Sequence, residues 1–401
     1  MAPALTSPIP NEHPNPTTPA SKAPKAIFPD GIRTSGQHEP IYTQLQPYTS
    51  FPKTITGPTA WTKSEYASNP ERWTHIFSAD EISEISSATD AFLASATPLT
   101  GISRASFPLP HFLSSFLHPL RNELLNGKGF VLFKGLPVRR WGTRKSAVAY
   151  MGLGTHLGYF VSQNSRGHVL GHVKDLGEDA GAIDKVRIYR TNARQWFHGD
   201  DADLVGLLCV EKAAEGGESD LVSSHLVWNE LQTYHPDVAE LLTQPVWYFD
   251  RKGETSKGQK EWIRSSVFML ETAEKPRVCC KWDPYYVRSL TRFSDAGFIP
   301  PLSDAQERAI NVLEETCQKL ALHMVLDVGD IQFLSNNHVL HARTAYKDYA
   351  PPAPRRHLMR LWLSTPEDEG GWKLPFHDSN EKKRGGIQVD DTAPVAPEDA
   401  E

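Results

Sequence analysis

A chain of 401 residues with 39% hydrophobic and 22% charged residues is long enough to bury a large core. Its net charge of -6 and its lack of a basic stripe argue against nucleic-acid binding, and no apolar run approaches the ~20 residues that cross a membrane. With no secretory signal pattern and four cysteines outside any CxxC pair, the sequence predicts a cytoplasmic protein with reduced thiols.

The composition divides the chain into three parts. Residues 1–57 are rich in Pro, Thr and Ser without apolar periodicity, which predicts a disordered N-terminal arm. Residues 379–401 pass through a basic and glycine-containing run into an acidic end, which predicts a second disordered tail. Between them, residues 58–378 are expected to form one domain.

Helical and strand patterns are interleaved along this domain. Ser78 and Glu81 have the spacing of a capping box that opens the first helix. Apolar spacing predicts further helices at 112–125, 145–157, 226–242 and 306–322. Short apolar runs predict strands at 130–133, 204–210, 220–224, 246–249, 266–270, 277–282, 330–334 and 357–363. The expected fold class is α+β, with a jelly-roll (double-stranded β-helix) core and flanking helices.

The triplet His198-Gly199-Asp200 is the first candidate for chemistry. Residues i and i+2 of a strand point to one side, so both side chains reach one metal ion. Two histidines and one carboxylate hold iron(II) on one face and leave three positions open. Alone the triplet is weak evidence, because an Asp-rich turn is an ordinary solvated loop, but its place between Trp196-Phe197 and a buried strand favours a site at the core edge.

A second histidine for this metal must come from a distant strand. His341 and His338 both follow the predicted strand 330–334 and the tight segment 335–337. The residue pattern by itself leaves the choice between them close, and a surface-loop histidine is the alternative for either.

The third candidate is the strand that contains Arg356, Leu358 and Arg360 on one face. Two arginines that face a barrel interior need anionic partners, and a guanidinium matches a carboxylate with two parallel hydrogen bonds. Considered alone, the segment also suits an edge strand with solvated arginines.

Taken together and in this order, these segments resemble the TauD/TfdA-like (taurine dioxygenase-like) family of iron(II)/2-oxoglutarate-dependent dioxygenases. The resemblance extends over about 129–363 and is most specific at 329–333, 339–345 and 355–360. It implies His198, Asp200 and His341 as iron ligands, which favours His341 over His338. Asp200 fills the position that halogenases of this kind leave open for chloride, so halogenation is disfavoured.

The resemblance also implies a site for 2-oxoglutarate. Arg356 matches the arginine that clamps the distal carboxylate, and Ser219 falls where the family commonly has a threonine that touches the same group. Arg360 matches a second arginine, which faces the inner carboxylate or an anionic substrate. The Pro-rich stretch before this strand leaves Arg355 as a rival to Arg356, although Arg356 shares the strand face of Arg360.

Substrate contacts are the least specific part of the resemblance. Residues 154–167 align with the substrate loop of the family, which makes Tyr159, Gln163 and Asn164 candidates, and Arg194 is a fourth. A purely structural role is an equal alternative for all four.

The expected function is oxidation of an aliphatic C–H bond in a small anionic or amino-acid-like substrate, using iron(II), 2-oxoglutarate and O2 and releasing succinate and CO2. Hydroxylation is the default outcome, and desaturation or ring closure is open to the same ligand set. The alternatives are a cupin-type iron enzyme that does not use 2-oxoglutarate and a non-catalytic metal-dependent binding protein.

Overall fold

A computed structural model of the protein describes residues 45–257, 259–375 and 386–400. Its α-helices are α1 (Lys63–Ala67), α2 (Ala79–Ala94), α3 (His111–Asn126), α4 (Val138–Thr155), α5 (Ser224–Tyr234), α6 (Pro236–Thr243), α7 (Pro284–Arg288), α8 (Thr291–Asp295) and α9 (Asp304–Leu320). Its strands are β1 (Thr74–Ile76), β2 (Phe130–Lys134), β3 (Tyr159–Phe160), β4 (Leu170–Lys174), β5 (Gln195–His198), β6 (Leu204–Glu211), β7 (Glu215–Gly216), β8 (Ser219–Ser223), β9 (Trp247–Asp250), β10 (Trp262–Ser265), β11 (Phe268–Leu270), β12 (Val278–Cys280), β13 (Leu322–Met324), β14 (Ile331–Ser335), β15 (Val339–Arg343), β16 (Tyr346–Lys347) and β17 (His357–Ser364).

Two sheets organise these elements. The larger has the order β1-β2-β14-β6-β17-β3, with β4 also paired to β17, and the smaller has the order β13-β8-β15-β5. Only the β1–β2 pair within these two sheets is parallel, as far as the described residues show. The strand orders bring together strands that are distant in sequence, as the predicted pairing of remote ligands requires.

Apolar side chains from both sheets meet in one cluster, which we call the inter-sheet core. Leu207 and Leu358 contribute from the larger sheet, and Leu221, Met324 and Val339 from the smaller. The opposite face of the larger sheet packs on α2, α3 and α4, and that of the smaller sheet packs on α5, α6 and α9. Both sheets are thus buried on both faces in the region that holds the candidate site.

Burial on both faces decides where the side chains of β17 point. Met359 and Leu361 pack among the helices, whereas Leu358 and Trp362 belong to the inter-sheet core. Arg360 lies in phase with the second pair, because alternate residues of a strand share a face. The same alternation turns the odd-numbered residues of β15 toward the inter-sheet core, since Leu340 and Ala342 pack against the helices.

Local sequence signals explain where α2 begins and where α5 gives way to α6. The capping box at Ser78 and Glu81 is confirmed, with both reciprocal hydrogen bonds present at the start of α2. The prediction of a single helix at 226–242 is wrong, because α5 ends before His235 and α6 begins with Pro236 at its first position. Proline has no N–H to continue the ladder of α5 but suits the first turn of a new helix.

Part of the predicted N-terminal arm is packed. Phe51 is buried with its ring centroid 5.2 Å from that of Trp228, and the Nε1 of Trp228 donates to the Pro52 carbonyl at 2.9 Å. Asn229 pairs with both backbone groups of Ile55 at 2.7 Å. The boundary at residue 57 is therefore corrected, because an aromatic anchor and a satisfied backbone hold residues 45–57 on α5; residues 1–44 lie outside the described residues.

The predicted C-terminal tail needs the same correction over residues 386–400. The backbone of Val395 pairs with Gly167 and Val169 at 2.8 Å, and the Ile387 N–H donates to the Ser162 carbonyl at 2.7 Å. Polar composition suggested disorder here, but backbone pairing with the domain fixes the segment. Residues 376–385 and 401 lie outside the described residues.

No helix in the described ranges combines the length and the apolar character needed to span a membrane.

Stability is expected to fall with acidification because histidines are buried in neutral form. Burial lowers the pKa of His225 to about 4, and its ring nitrogens contact the Thr59 hydroxyl at 2.8 Å and the Val278 carbonyl at 2.7 Å. An unfolded histidine titrates near pH 6.5, so between pH 6.5 and 4 only the unfolded chain takes up this proton. The free energy of unfolding should decrease by about 1.4 kcal/mol per pH unit for each such histidine.

Urea unfolding of His225→Gln from pH 7 to 4.5 should show a flatter pH dependence than the wild type. His118→Gln, at an exposed position, is the control. An unchanged slope in His225→Gln would contradict this account.

Candidate metal centre

The two candidate histidine ligands lie opposite each other on neighbouring strands. His198 ends β5, and its Cα pairs with that of His341 in the antiparallel ladder with β15. Their ring centroids are 4.1 Å apart. A direct cross-strand pair brings side chains together on one face, so strand register alone places both rings in the interior.

Asp200 lies in the loop beyond β5 and not in the strand itself. The expected strand geometry for the triplet is therefore incomplete, and other contacts fix the carboxylate. The Asp200 backbone N–H donates to the Asn336 Oδ1 at 3.1 Å, and the Gly199 N–H donates to the Trp282 carbonyl at 2.8 Å. Arg360 donates from Nη1 to the Asp200 Oδ1 at 3.1 Å.

These three side chains fit a metal ion. One ligand atom from each of His198, Asp200 and His341 lies within 4.8 Å of the others, and all three residues are buried. The Asp200 Oδ2 is 3.9 Å from the His341 Nε2 and has no hydrogen-bond partner. A buried carboxylate oxygen without a partner is costly, and a cation between these atoms would satisfy it. Within the described ranges, no other histidine, cysteine or carboxylate group meets the same geometric criterion.

Burial and neighbouring charges keep two of the candidate ligands in the protonation states that bind a metal. Burial and the neighbouring His198 ring lower the pKa of His341 to about 3, so its ring is neutral at physiological pH. Burial by itself would raise the pKa of Asp200, but Arg360, His341 and His198 outweigh burial and hold the pKa below its ordinary value. A neutral imidazole and an ionised carboxylate are the forms that bind a metal.

His338, the rival of His341, has a different position. Its Nδ1 contacts the Ser335 hydroxyl and its Nε2 contacts the Gly127 carbonyl, both at 3.2 Å. The ring stacks on Trp372 with the centroids 5.5 Å apart. These contacts fasten the turn between β14 and β15 to the C-terminal end of α3, so His338 has a structural role.

The structure separates Arg356 from Arg355. Arg355 is exposed and donates to the Asp175 carbonyl at 2.7 Å, whereas Arg356 is buried, donates from Nη2 to the Gly217 carbonyl at 2.9 Å and leaves Nη1 without a partner. A Cβ on Gly217, whose φ is +78°, would lie 2.6 Å from the Arg356 Nε. Only glycine allows this close approach. Arg356 therefore has the burial and the free donor that an anion site needs.

Ser219 is the first residue of β8 and is buried. It faces the inter-sheet core from β8, and its hydroxyl lies 3.2 Å from the Gln332 Nε2 and 3.3 Å from the Gln332 Oε1. Gln332 reaches it from β14 of the other sheet. A hydroxyl that faces the interior is present where the resemblance requires one.

The four expected substrate contacts are dispersed. Gln163 is buried and clamps Arg360, since its Oε1 accepts from the Arg360 Nε at 2.8 Å and its Nε2 donates to the Arg360 carbonyl at 2.9 Å. Asn164 accepts from the backbone of Arg166 at 3.0 Å within its own loop. The structure thus brings Gln163 to the site through Arg360 and gives Asn164 a loop-stabilising contact.

Tyr159 and Arg194 form their side-chain contacts with residues other than the candidate metal ligands. The Tyr159 hydroxyl donates to the Glu369 carboxylate, and Arg194 forms an ion pair with Glu314 of α9. Both are thus engaged in contacts between elements, and the structure does not bring them into the metal cluster.

Sequence reasoning missed a cavity beside Asp200. It has a volume of about 120 Å³, and its lining includes Trp282, Trp362, Lys281 and Ile387. No pattern marks Trp282 or Lys281 as site residues, because they follow a short strand with no motif of their own. Arg343 was also missed, although its i+2 spacing from His341 on β15 was a usable signal.

Residues 95–362, more than half of the chain, match the taurine catabolism dioxygenase TauD, TfdA family. The protein belongs to this family. Membership confirms the resemblance carried by the sequence motifs and identifies an oxidoreductase of the dioxygenase class.

Two curated relatives cover most of the chain. FR-33289 synthase of Streptomyces rubellomurinus is 26% identical over 329 residues, which span 80% of this chain and 93% of that protein. The taurine hydroxylase-like protein SAT17 of Stachybotrys chartarum is 27% identical over 322 residues, which span 79% of this chain and 80% of that protein.

Solved structures share the fold. An asparagine oxygenase bound to Fe(II), 3-hydroxyasparagine and succinate superimposes with a TM-score of 0.57 at 15% identity, over 73% of this chain and 94% of that one. The non-heme iron oxygenase OrfP bound to Fe and alpha-ketoglutaric acid gives a TM-score of 0.55 with the same identity and coverage. Both of these solved structures contain iron, together with succinate in the first and alpha-ketoglutaric acid in the second.

Substituting each buried histidine tests which of them binds metal. His341→Ala should weaken Fe(II) binding by about 100-fold or more, because it removes a direct ligand. His338→Ala should keep the Fe(II) affinity but lower the free energy of unfolding by about 1–3 kcal/mol, since it leaves the Gly127 carbonyl unpaired. Calorimetry without oxygen and thermal unfolding measure the two effects, and the opposite assignment would show that the ligand is His338.

Proposed function

We propose that the protein is an iron(II)/2-oxoglutarate-dependent dioxygenase that oxidises an aliphatic C–H bond of a small anionic or amino-acid-like substrate. The observation that carries the proposal is the buried cluster of His198, Asp200 and His341, with Arg356 buried and incompletely paired in the same interior. The two sheets that share one core, and the fold of the solved neighbours, support a jelly-roll (double-stranded β-helix) assignment for this interior.

In this proposal the residues of the chain have separate tasks. His198, Asp200 and His341 would hold iron(II) and leave open positions for 2-oxoglutarate and oxygen. The metal would supply the redox chemistry, with succinate and CO2 released as 2-oxoglutarate is consumed. Arg356 and Ser219 orient the cosubstrate through its distal carboxylate.

Arg360 keeps Asp200 ionised in a buried setting. Its guanidinium lies over the rings of Tyr189 and Trp362, 4.7 and 4.9 Å from their centroids, and Gln163 fixes its orientation. A rigid cation beside the ligand carboxylate also offers charge to an anionic substrate group.

The cavity beside Asp200 is the proposed substrate site. Trp282 and Trp362 contribute aromatic walls to this cavity beside the carboxylate of Asp200. The cavity wall has charges of both signs, with Lys281 and Arg187 alongside Asp283 and Glu254, and this mixture suits an amino-acid-like substrate that has both an ammonium and a carboxylate group. The solved structures with 3-hydroxyasparagine and with hydroxy-L-Arg derivatives support an amino-acid-like one.

Purified protein with Fe(II), ascorbate and oxygen should convert 2-oxoglutarate to succinate even without substrate, at a slow uncoupled rate. His198→Ala should reduce this rate by about 100-fold or more, because it removes a metal ligand. Succinate is measured by chromatography. Failure of the wild-type protein to bind either Fe(II) or 2-oxoglutarate would sink the proposal.

Arginine substitutions distinguish use of 2-oxoglutarate from an iron enzyme that does not need it. Arg356→Gln should raise the KM for 2-oxoglutarate by about 10- to 100-fold, as expected for loss of charge-assisted hydrogen bonds. Arg355→Gln, the neighbouring exposed position, is the matched control and should leave the KM unchanged. Equal effects of the two substitutions would contradict the assignment.

A further inference from the structure

Arg343 is, like Arg356, a buried arginine that forms no salt bridge with a carboxylate among the described residues. Its Nη2 donates to the carbonyl oxygens of Thr191, at 3.1 Å, and Ala193, while Nε and Nη1 have no hydrogen-bond partner. The carboxylate of Asp175 acts on it only from a distance and does not offset burial, which lowers the pKa of Arg343 to about 10. A buried guanidinium in this state costs free energy unless it meets an anion.

Strand register places Arg343 with the proposed cosubstrate residues. It follows His341 by two positions on β15 and therefore shares its face. Its Cα pairs with that of Ser219 on β8. Its guanidinium and that of Arg356 lie 5.0 and 4.9 Å from the centroid of the same Tyr346 ring.

The unsatisfied groups here are predominantly donors. The Nε and Nη1 of Arg343 and the Nη1 of Arg356 have no hydrogen-bond partner. The adjacent Asp348 accepts from the backbone N–H of Arg356 through Oδ1 at 2.8 Å, and its Oδ2 is an unpaired acceptor beside these three donor atoms. Several converging donors with two positive charges match a carboxylate, which only accepts and has about four lone-pair positions.

We propose that Arg343 is a second arm of the site that binds the distal carboxylate of 2-oxoglutarate, next to Arg356. This inference rests on the proposed function. It assigns to the chain a doubly cationic end of the cosubstrate site, which selects 2-oxo acids that have a terminal carboxylate over those that end in a methyl group.

The test compares two five-carbon 2-oxo acids that differ only at the far end, 2-oxoglutarate and 2-oxovalerate. Binding of each to the Fe(II)-loaded protein is measured by calorimetry without oxygen. Arg343→Met should weaken the binding of 2-oxoglutarate by about 10- to 100-fold, the loss expected for charged hydrogen bonds. The affinity for 2-oxovalerate should not change. Arg343→Lys keeps a positive charge without the planar donor set, so its affinity for 2-oxoglutarate should lie between those of Arg343→Met and the wild type. Arg355→Met, at an exposed position, is the control.

Each outcome is decisive. Equal weakening of both acids would show that Arg343 only supports the local structure, and unchanged binding of both would exclude any contact; either result overturns the inference while the proposed function stands. A wild-type protein that does not prefer 2-oxoglutarate over 2-oxovalerate would count against the proposed function itself. Should Arg343→Met not fold, the Lys variant decides the inference by the same comparison of the two acids.

Discussion

The whole site depends on burial of β15 and β17 on both faces. A strand between helices and a second sheet has no solvent face, so each residue must suit one of two apolar surroundings. Leucines, Met359 and Ala342 fill the helix side, which turns His341, Arg343 and Arg360 toward the inter-sheet core. A slip of one residue would exchange the two sets and bury the polar side chains against helices. The apolar pattern of the helix side therefore fixes the positions of the polar residues of the site.

Electrostatics divides this interior into two ends. Around Asp200, the Arg360 guanidinium compensates a buried carboxylate that still has one unpaired oxygen, a combination suited to a metal cation. Around Tyr346, Arg343 and Arg356 accumulate positive charge without a carboxylate partner, a combination suited to an anion. A cosubstrate that chelates metal at one end and has a carboxylate at the other would satisfy both. The proposed activity explains in one step why two separate sets of buried polar atoms are unsatisfied.

Much of this arrangement could be predicted from the sequence, and the exceptions have physical reasons. Strand alternation and motif order are local or linear features, so the sequence could single out the candidate ligands His198, Asp200 and His341 and the buried Arg356. Cross-strand register is not local, so the pairing of His341 with His198 became visible only in the folded chain. The packing of residues 45–57 and 386–400 depends on partners far along the chain, and average composition hides single anchors such as Phe51. Substrate contacts were the least predictable, because the cavity beside Asp200 is built from residues without any motif.

The central claim is that a buried cluster of two histidines and one carboxylate binds a metal ion, and that 2-oxoglutarate binds next to this metal. A crystal structure with Mn(II) and 2-oxoglutarate, with the metal located by anomalous scattering, tests it most directly. The account predicts a single strong peak within about 2.0–2.3 Å of His198, Asp200 and His341, with the far carboxylate of 2-oxoglutarate against Arg356. A peak bound by other residues, or 2-oxoglutarate located away from Arg356, would contradict it.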